Sequence, residues 1–164
     1  LQWMEALSEA QVLSENCKTI AYTYIGDELT WPIYGDASIG HAKKDLDLTA
    51  KKIDALLNIE LSNAQSSGSH TLSTQISNNP PSSKQQRAFI GVLKALVTQS
   101  SAAIPVMPLY ISLLYQVMKE NDVHEGCIEQ ITRILNTGLY GSSCQLDSEG
   151  RLRVDEFELS SMDM

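Results

Sequence analysis

Tyr34 and Lys43, separated by eight residues, are the pair in this chain whose chemistry is most specific. A free phenol has a pKa of about 10 and is a poor acid near neutrality. A nearby ammonium favours the phenolate and so brings proton donation into range, and the same ammonium can hold a ribose hydroxyl. The pair therefore predicts a proton donor beside a cation. The alternative is a packed tyrosine and a solvated lysine.

The spacing limits how these two side chains can meet. Nine steps of about 100° put two residues on opposite faces of one ideal helix. Tyr34 and Lys43 can converge only if Tyr34 precedes the helix that carries Lys43, in the loop around Gly35 and Asp36. We therefore expect a helix that begins between them.

The surrounding residues predict that helix. Asp36 or Ser38 can cap its N-terminus. Apolar residues then recur every three or four positions, at Ile39, Ala42, Leu46, Ala50, Ile53 and Leu57. Upstream we expect a short helix over 3–13 and a strand over 19–25. Pro32 disfavours a helix, which predicts an irregular segment over 28–34.

The second half of the chain predicts a strand followed by helices. Residues 88–97 are apolar with Lys94 as their one charge, which favours a buried strand. Pro105 and Pro108 open a helix that is apolar on most sides, where Tyr110, Leu113 and Leu114 line an acyl-chain channel or simply pack in the core. A helix after Asp122 presents Ile128, Ile131 and Leu135 on one side, and residues 143–164 are acidic and weakly patterned.

The composition indicates one globular domain over residues 1–164. Within it, Ser, Asn and Gln dominate residues 58–87, which predicts a flexible insertion. Twelve Lys and Arg against 20 Asp and Glu give a net charge of −8, which argues against nucleic-acid binding. The most apolar stretch, 104–118, is too short for a membrane span and carries two prolines. Three scattered cysteines and a lone His124-Glu125 pair predict neither disulfides nor a metal site.

Several blocks of sequence carry a resemblance to a known family. The segment 21–26 (AYTYIG) leads through Leu29-Thr30 and Ile33-Tyr34 to Ser38-Ile39-Gly40 and then to 42–47 (AKKDLD). Together with 93–114 and 117–130, these blocks resemble the trans-2-enoyl thioester reductases. These are NAD(P)H-dependent enzymes distantly related to short-chain dehydrogenases, and their hallmark is Tyr-x8-Lys.

The resemblance implies a role for particular residues. Tyr34 would be the proton donor, Lys43 the cofactor-binding lysine and Tyr24 a substrate contact. Leu96, Val97 and Thr98 would lie against the nicotinamide end of NADH, with NADPH as the alternative cofactor. The implied reaction is the reduction of the trans-2 double bond of enoyl-CoA or enoyl-acyl-carrier-protein, in fatty acid synthesis.

The resemblance also implies a fold. We expect an α/β, helix-rich, C-terminal-side portion of a Rossmann-like, short-chain-dehydrogenase-type fold. No GxGxxG-like run is present, so we expect the chain to be truncated at both ends and to lack most of the cofactor cradle. The protein would be a cytoplasmic or mitochondrial monomer. The alternatives are a ketone or alcohol reductase of the short-chain type, or a helical interaction module without catalysis.

Overall fold

The computed structural model describes residues 1–26, 28, 31–66, 87–103, 106–141 and 146–162. The chain forms two compact units. The first comprises Leu1–Ala21 and Asp45–Phe89, and the second comprises Tyr22–Lys44 and Ile90–Met164. No helix in these described ranges is long and apolar enough to cross a bilayer.

Three strands form the sheet, in the order β1 (Thr19–Thr23), β2 (Ala88–Val92) and β3 (Leu152–Arg153). The predicted strands are therefore present, each ending earlier than its alternating or apolar pattern suggested. Every residue of β2 is buried, as its central position requires. Strand β3 pairs with β2 in parallel, with Gly91 opposite Leu152. The fold class, α/β with a parallel sheet, is as expected.

The first unit contains α1 (Gln2–Glu9) and most of the long helix α3 (Ser38–Ser66). Leu57, Ala88 and Phe89 are its buried apolar residues. Helix α3 is present as predicted, although Ile39 and Ala42 of its apolar repeat are exposed, and it continues nine residues, 58–66, into the segment expected to be a flexible insertion. The last residue of that segment, Arg87, is also ordered and only 6% exposed. The remainder of the expected insertion, 67–86, lies outside the described residues.

A short helix, α2 (Trp31–Tyr34), precedes α3 in the second unit. The expectation of an irregular segment ending at Tyr34 is therefore wrong for its last four residues. Pro32 occupies the second position of α2, and proline is tolerated in the first turn of a helix because its missing N–H has no partner there in any case.

The rest of the second unit is helical. Helix α4 (Val106–Glu120) starts beside the predicted prolines, and it packs against α6 (Glu156–Met162). Helix α5 (Cys127–Arg133) runs directly into a π-helical segment, Ile134–Leu139. A 3₁₀ segment, Gln99–Ala103, precedes α4. Among the described residues, the unit buries apolar side chains from the strands, from α4, from the π-helical segment and from the stretches after β2 and β3: Ile90, Val92, Ala95, Met107, Ile111, Leu114, Met118, Ile134, Leu139, Leu152 and Val154.

The buried face of α5 differs from the predicted one. Ile128 is 75% exposed and Leu135 is also exposed, whereas Gln130 and Ile134 are buried. The side chain of Gln130 donates a hydrogen bond to the carbonyl of Val154 at 2.8 Å, so its polar end is satisfied inside. Gln130 and Ile134 are four residues apart and share one ordinary helical face, which is not the face of Ile128, Ile131 and Leu135.

Candidate active site

The side chains of Tyr34 and Lys43 converge in the second unit. Tyr34 ends α2, three residues form a turn, and α3 then begins and carries Lys43. The Lys43 ammonium lies 4.9 Å from the centroid of the Tyr34 ring. The structure thus meets the condition that the spacing imposes, because Tyr34 precedes the helix of Lys43.

Gly40 makes this turn possible. A Cβ atom at Gly40 would lie 1.7 Å from the carbonyl oxygen of Gly35, so only glycine allows the turn to pack on the first turn of α3. The N–H groups of Gly35 and Asp36 both donate to the carbonyl of Trp31, which closes α2. Tyr34 is therefore held by main-chain contacts on both sides.

Tyr24 joins the pair from the end of β1. Its ring stands edge-on to that of Tyr34, with centroids 5.2 Å apart and an interplanar angle of 86°. Its carbonyl accepts a hydrogen bond from the Lys43 ammonium. Its hydroxyl donates to Oε1 of Glu158 at 3.1 Å. Two phenols and one ammonium thus form a single contact group.

The electrostatics of Lys43 follow from its half-buried position. Burial lowers the pKa of Lys43, because the ammonium loses hydration. Cation–π attraction to the rings of Tyr34 and Tyr24 offsets part of the lost hydration energy. The ammonium lies 5.8 Å from the Tyr24 ring centroid. A charge in such a site acts more strongly on neighbouring oxygens than one in water does.

An open cleft of about 460 Å³ adjoins these tyrosines. Tyr24, Tyr34, Leu96 and Thr98, four of the six predicted site residues, line it. Lys43 contacts the two tyrosines without lining the cleft. Val97, in contrast, is 42% exposed and is not among the described residues of the cleft wall. The volume lies in the range of small-molecule sites.

Part of the lining of the cleft carries hydroxyl groups. Thr98, Ser100 and Ser101 all line it, and the N–H of Thr98 donates to Oγ of Ser101 at 3.0 Å. Leu96 and Ile111 add apolar surface. Apolar side chains for a flat ring and hydroxyls for a carboxamide make a donor set that fits a nicotinamide.

Helix α4 contributes to this cleft through an unexpected residue. Of the three side chains expected to line a channel, Leu114 is buried, Leu113 is 57% exposed and Tyr110 packs against the cluster of Ala95, Met107 and Ile111. None of the three lines the cleft, whereas Ile111 does. The core-packing alternative is therefore correct for Tyr110 and Leu114.

Sequence reasoning missed Glu158. This carboxylate is 1% exposed, and it accepts hydrogen bonds from the Tyr24 hydroxyl and from the N–H of Ala95. Burial raises the pKa of Glu158, and the two hydrogen bonds and the charge of Lys94 oppose that rise. Helix α6 has only seven residues, too few for a periodic pattern to reveal its buried face.

Ala95 is fixed on its other side as well. Its carbonyl accepts a hydrogen bond from the hydroxyl of Tyr115 on α4. Burial raises the pKa of Tyr115 to about 12, so this hydroxyl keeps its proton at neutral pH. The Lys94 ammonium lies 4.5 Å from the centroid of the Tyr115 ring, and burial lowers the pKa of Lys94. The main chain that enters 96–98 is thus anchored at both its N–H and its C=O.

In the described part of the chain, no three His, Cys, Asp or Glu side chains are grouped closely enough to hold a metal ion. The described residues that line the cleft supply three phenols, the Lys94 ammonium and hydroxyls, and Lys43 adds a second ammonium in contact with Tyr24 and Tyr34.

A tyrosine and a lysine that converge next to a cleft supply a proton donor with a cation beside it. The chain belongs to the enoyl reductase family, since residues 1–83 and 71–140 match the model described as the trans-2-enoyl-CoA reductase catalytic region.

Relatives with names and structures agree with this membership. The chain is 53% identical over 159 residues to the enoyl-[acyl-carrier-protein] reductase [NADH] of Saccharophagus degradans, covering 97% of this chain and 34% of the relative. The trans-2-enoyl-CoA reductase of Clostridium acetobutylicum, solved in complex with NAD, has a TM-score of 0.80 and 40% identity over 99% of this chain and 37% of its own. The trans-2-enoyl-CoA reductase of Treponema denticola, also solved in complex with NAD, has a TM-score of 0.73 and is 39% identical. This match covers 96% of this chain and 34% of the Treponema chain. The chain thus spans about a third of the length of these relatives.

Proposed function

We propose that this chain forms part of an NADH-dependent reductase that saturates the trans-2 double bond of an enoyl thioester. The convergence of Tyr34, Lys43 and Tyr24 at one cleft is the observation that carries this proposal. The names of the relatives support the substrate class and the choice of NADH over NADPH. The glycine-rich turn that binds the dinucleotide would come from outside these 164 residues.

Tyr34 acts on the thioester in this proposal. When the double bond is reduced at its β-carbon, negative charge develops on the thioester oxygen as an enolate. The Tyr34 hydroxyl donates a hydrogen bond to that oxygen and supplies or relays the proton that completes the saturated product. Lys43 stabilises the negative charge left on the phenol oxygen, from its place 4.9 Å from the ring centroid.

The other residues of the cleft position the two reactants. Tyr24, which lines the cleft, contacts the thioester substrate. Leu96 and Thr98 line the part that would receive the nicotinamide. Lys43 contacts the two tyrosines and does not line this cleft, so the ribose that we assign to it would lie outside the described cleft. The bound reduced nicotinamide supplies the hydride. Val97 is adjacent in sequence and would contribute main-chain contacts to the same part.

The substrate is an enoyl-CoA or an enoyl-acyl-carrier-protein, and both kinds of name occur among the relatives. We further propose a monomer that works in the cytoplasm on fatty acid synthesis. The monomeric state, the location in the cytoplasm and the place in fatty acid synthesis all extend the family membership to the whole protein.

The test is NADH oxidation by the full-length reductase with crotonyl-CoA, followed by absorbance. We expect turnover with crotonyl-CoA and none with a ketone of similar size, such as acetoacetyl-CoA. Reduction of the ketone alone would instead favour a short-chain dehydrogenase reaction. Absence of any NADH oxidation, with NADH binding intact, would refute the proposal.

A further inference from the structure

Glu158 has no part in the chemistry proposed above, yet it connects two walls of the cleft. Oε1 accepts the hydroxyl of Tyr24, on the wall assigned to substrate. Oε2 accepts the N–H of Ala95, the residue that leads into 96–98 on the wall assigned to the nicotinamide. Both carboxylate oxygens are thus engaged, each by a different wall.

The burial of Glu158 makes these two contacts informative. A carboxylate that is 1% exposed has lost its hydration, which is unfavourable unless hydrogen bonds replace it. An apolar side chain of the same volume would fill the space without that loss. What an apolar side chain cannot do is hold an O–H and an N–H donor at a fixed separation.

We propose that Glu158 is a positioning residue that fixes Tyr24 relative to the Ala95 main chain, and so sets the spacing of the substrate and nicotinamide walls. This role rests on the function proposed above. Tyr115 also holds Ala95, because its hydroxyl donates a hydrogen bond to the Ala95 carbonyl. The position of Tyr24 in turn affects that of Tyr34, because the two rings are in edge-to-face contact.

Two conservative variants of the full-length reductase distinguish the effect of the length of the residue 158 side chain from the effect of its charge. In Glu158→Gln, the amide oxygen can still accept from Ala95 N–H while the amide nitrogen donates to the Tyr24 oxygen, so both contacts persist. Glu158→Asp keeps the charge but is one methylene too short to serve both partners. We expect Glu158→Gln to keep KM for crotonyl-CoA and Kd for NADH within about twofold, and Glu158→Asp to raise that KM roughly tenfold.

Glu156→Gln is the matched control, because it makes the same change on the same helix at an exposed residue that pairs with Arg133. Its KM and Kd should equal those of the parent. Melting temperatures of all variants show whether the fold is retained. If both Glu158 variants are impaired, the background Tyr24→Phe decides: a loss that disappears in that background supports positioning through Tyr24.

Two results would overturn the proposal: a Glu158→Asp variant with a normal KM, whatever the Glu158→Gln variant shows, or losses that add fully to that of Tyr24→Phe. Each leaves the parent's activity and its dependence on Tyr34 intact, so failure of this inference differs from failure of the proposed function. A parent without crotonyl-CoA reduction would remove both.

Discussion

Both units bury charged side chains, and the partners of Arg87 in the first unit differ from those of Glu158 in the second. In the first unit Arg87 is 6% exposed and donates to the carbonyls of Ser14, Cys17 and Leu57 at 2.8–3.1 Å. In the second unit Glu158 accepts from one main-chain N–H and from the phenol of Tyr24, which lines the cleft. A buried charge served only by the main chain ties segments together, whereas one that holds a cleft side chain ties the fold to the site.

Arg87→Met should give the largest loss of stability. It leaves the buried carbonyl of Leu57 and the part-buried carbonyls of Ser14 and Cys17 without their donor, so we expect the free energy of unfolding to fall by on the order of 3 kcal/mol. Lys52→Met, an exposed lysine in the same unit, is the control. Chemical denaturation measures both, and a change in Arg87→Met no greater than in the control would break the comparison.

Gly40→Ala should affect both stability and catalysis. The added methyl would meet the Gly35 carbonyl at 1.7 Å, so the turn must shift, at a cost of roughly 1–3 kcal/mol. That shift separates Tyr34 from Lys43, and kcat should fall while the Tyr24–Glu158 contact persists. His41→Ala, next along the helix and exposed, should leave kcat and the melting temperature unchanged. Normal kcat in Gly40→Ala would mean that this turn does not set the position of Tyr34 relative to Lys43.

Lys43→Met should weaken NADH binding as well as slow turnover, because the ammonium serves both the ribose and the Tyr34 oxygen. We expect roughly a tenfold rise in the Kd for NADH, the loss of one charge-assisted hydrogen bond. Nucleotide fluorescence measures it. Lys44→Met, the exposed neighbour, is the control, and a Kd that is equal in the two variants would contradict the role of Lys43.

The pH dependence of stability should show the smallest effect. Burial raises the pKa of Glu158, so between its unfolded value near 4.5 and its higher folded value the folded state binds more protons than the unfolded state. Stability therefore falls as pH rises through that window, by at most about 1.4 kcal/mol per pH unit. Glu158→Gln removes this contribution, so its melting temperature relative to the parent should rise with pH there. A melting-temperature difference between Glu158→Gln and the parent that does not change with pH would contradict a raised pKa for Glu158.

Local patterns in the sequence predicted the elements that bury a regular stripe. Helix α3 covers the apolar repeat, which is half-buried or buried from Leu46 to Leu57 and exposed at Ile39 and Ala42, and β2 follows the run of buried residues after Arg87. The meeting of Tyr34 and Lys43 could be predicted because helix geometry excludes every arrangement except a tyrosine placed before the helix.

The parts that could not be predicted depend on distant contacts. Strand β3 has two residues and α6 has seven, so neither shows a period, and both are ordered by packing against β2 and α4. Glu158 lies on α6, and its partners are 63 and 134 residues away in sequence. The buried face of α5 carries the polar residue Gln130, so an apolar repeat in the sequence could not reveal it.

The most direct test of the central claim is the comparison of Tyr34→Phe with Tyr24→Phe in the full-length reductase. Tyr34→Phe removes the hydroxyl proposed to meet the enolate oxygen, so kcat with crotonyl-CoA should fall roughly 10²–10³-fold with little change in substrate binding. Tyr24→Phe should mainly raise KM. Near-normal kcat in Tyr34→Phe, with activity abolished in Tyr24→Phe, would show that the proton donor is the other tyrosine, and activity unaffected by both would refute the mechanism.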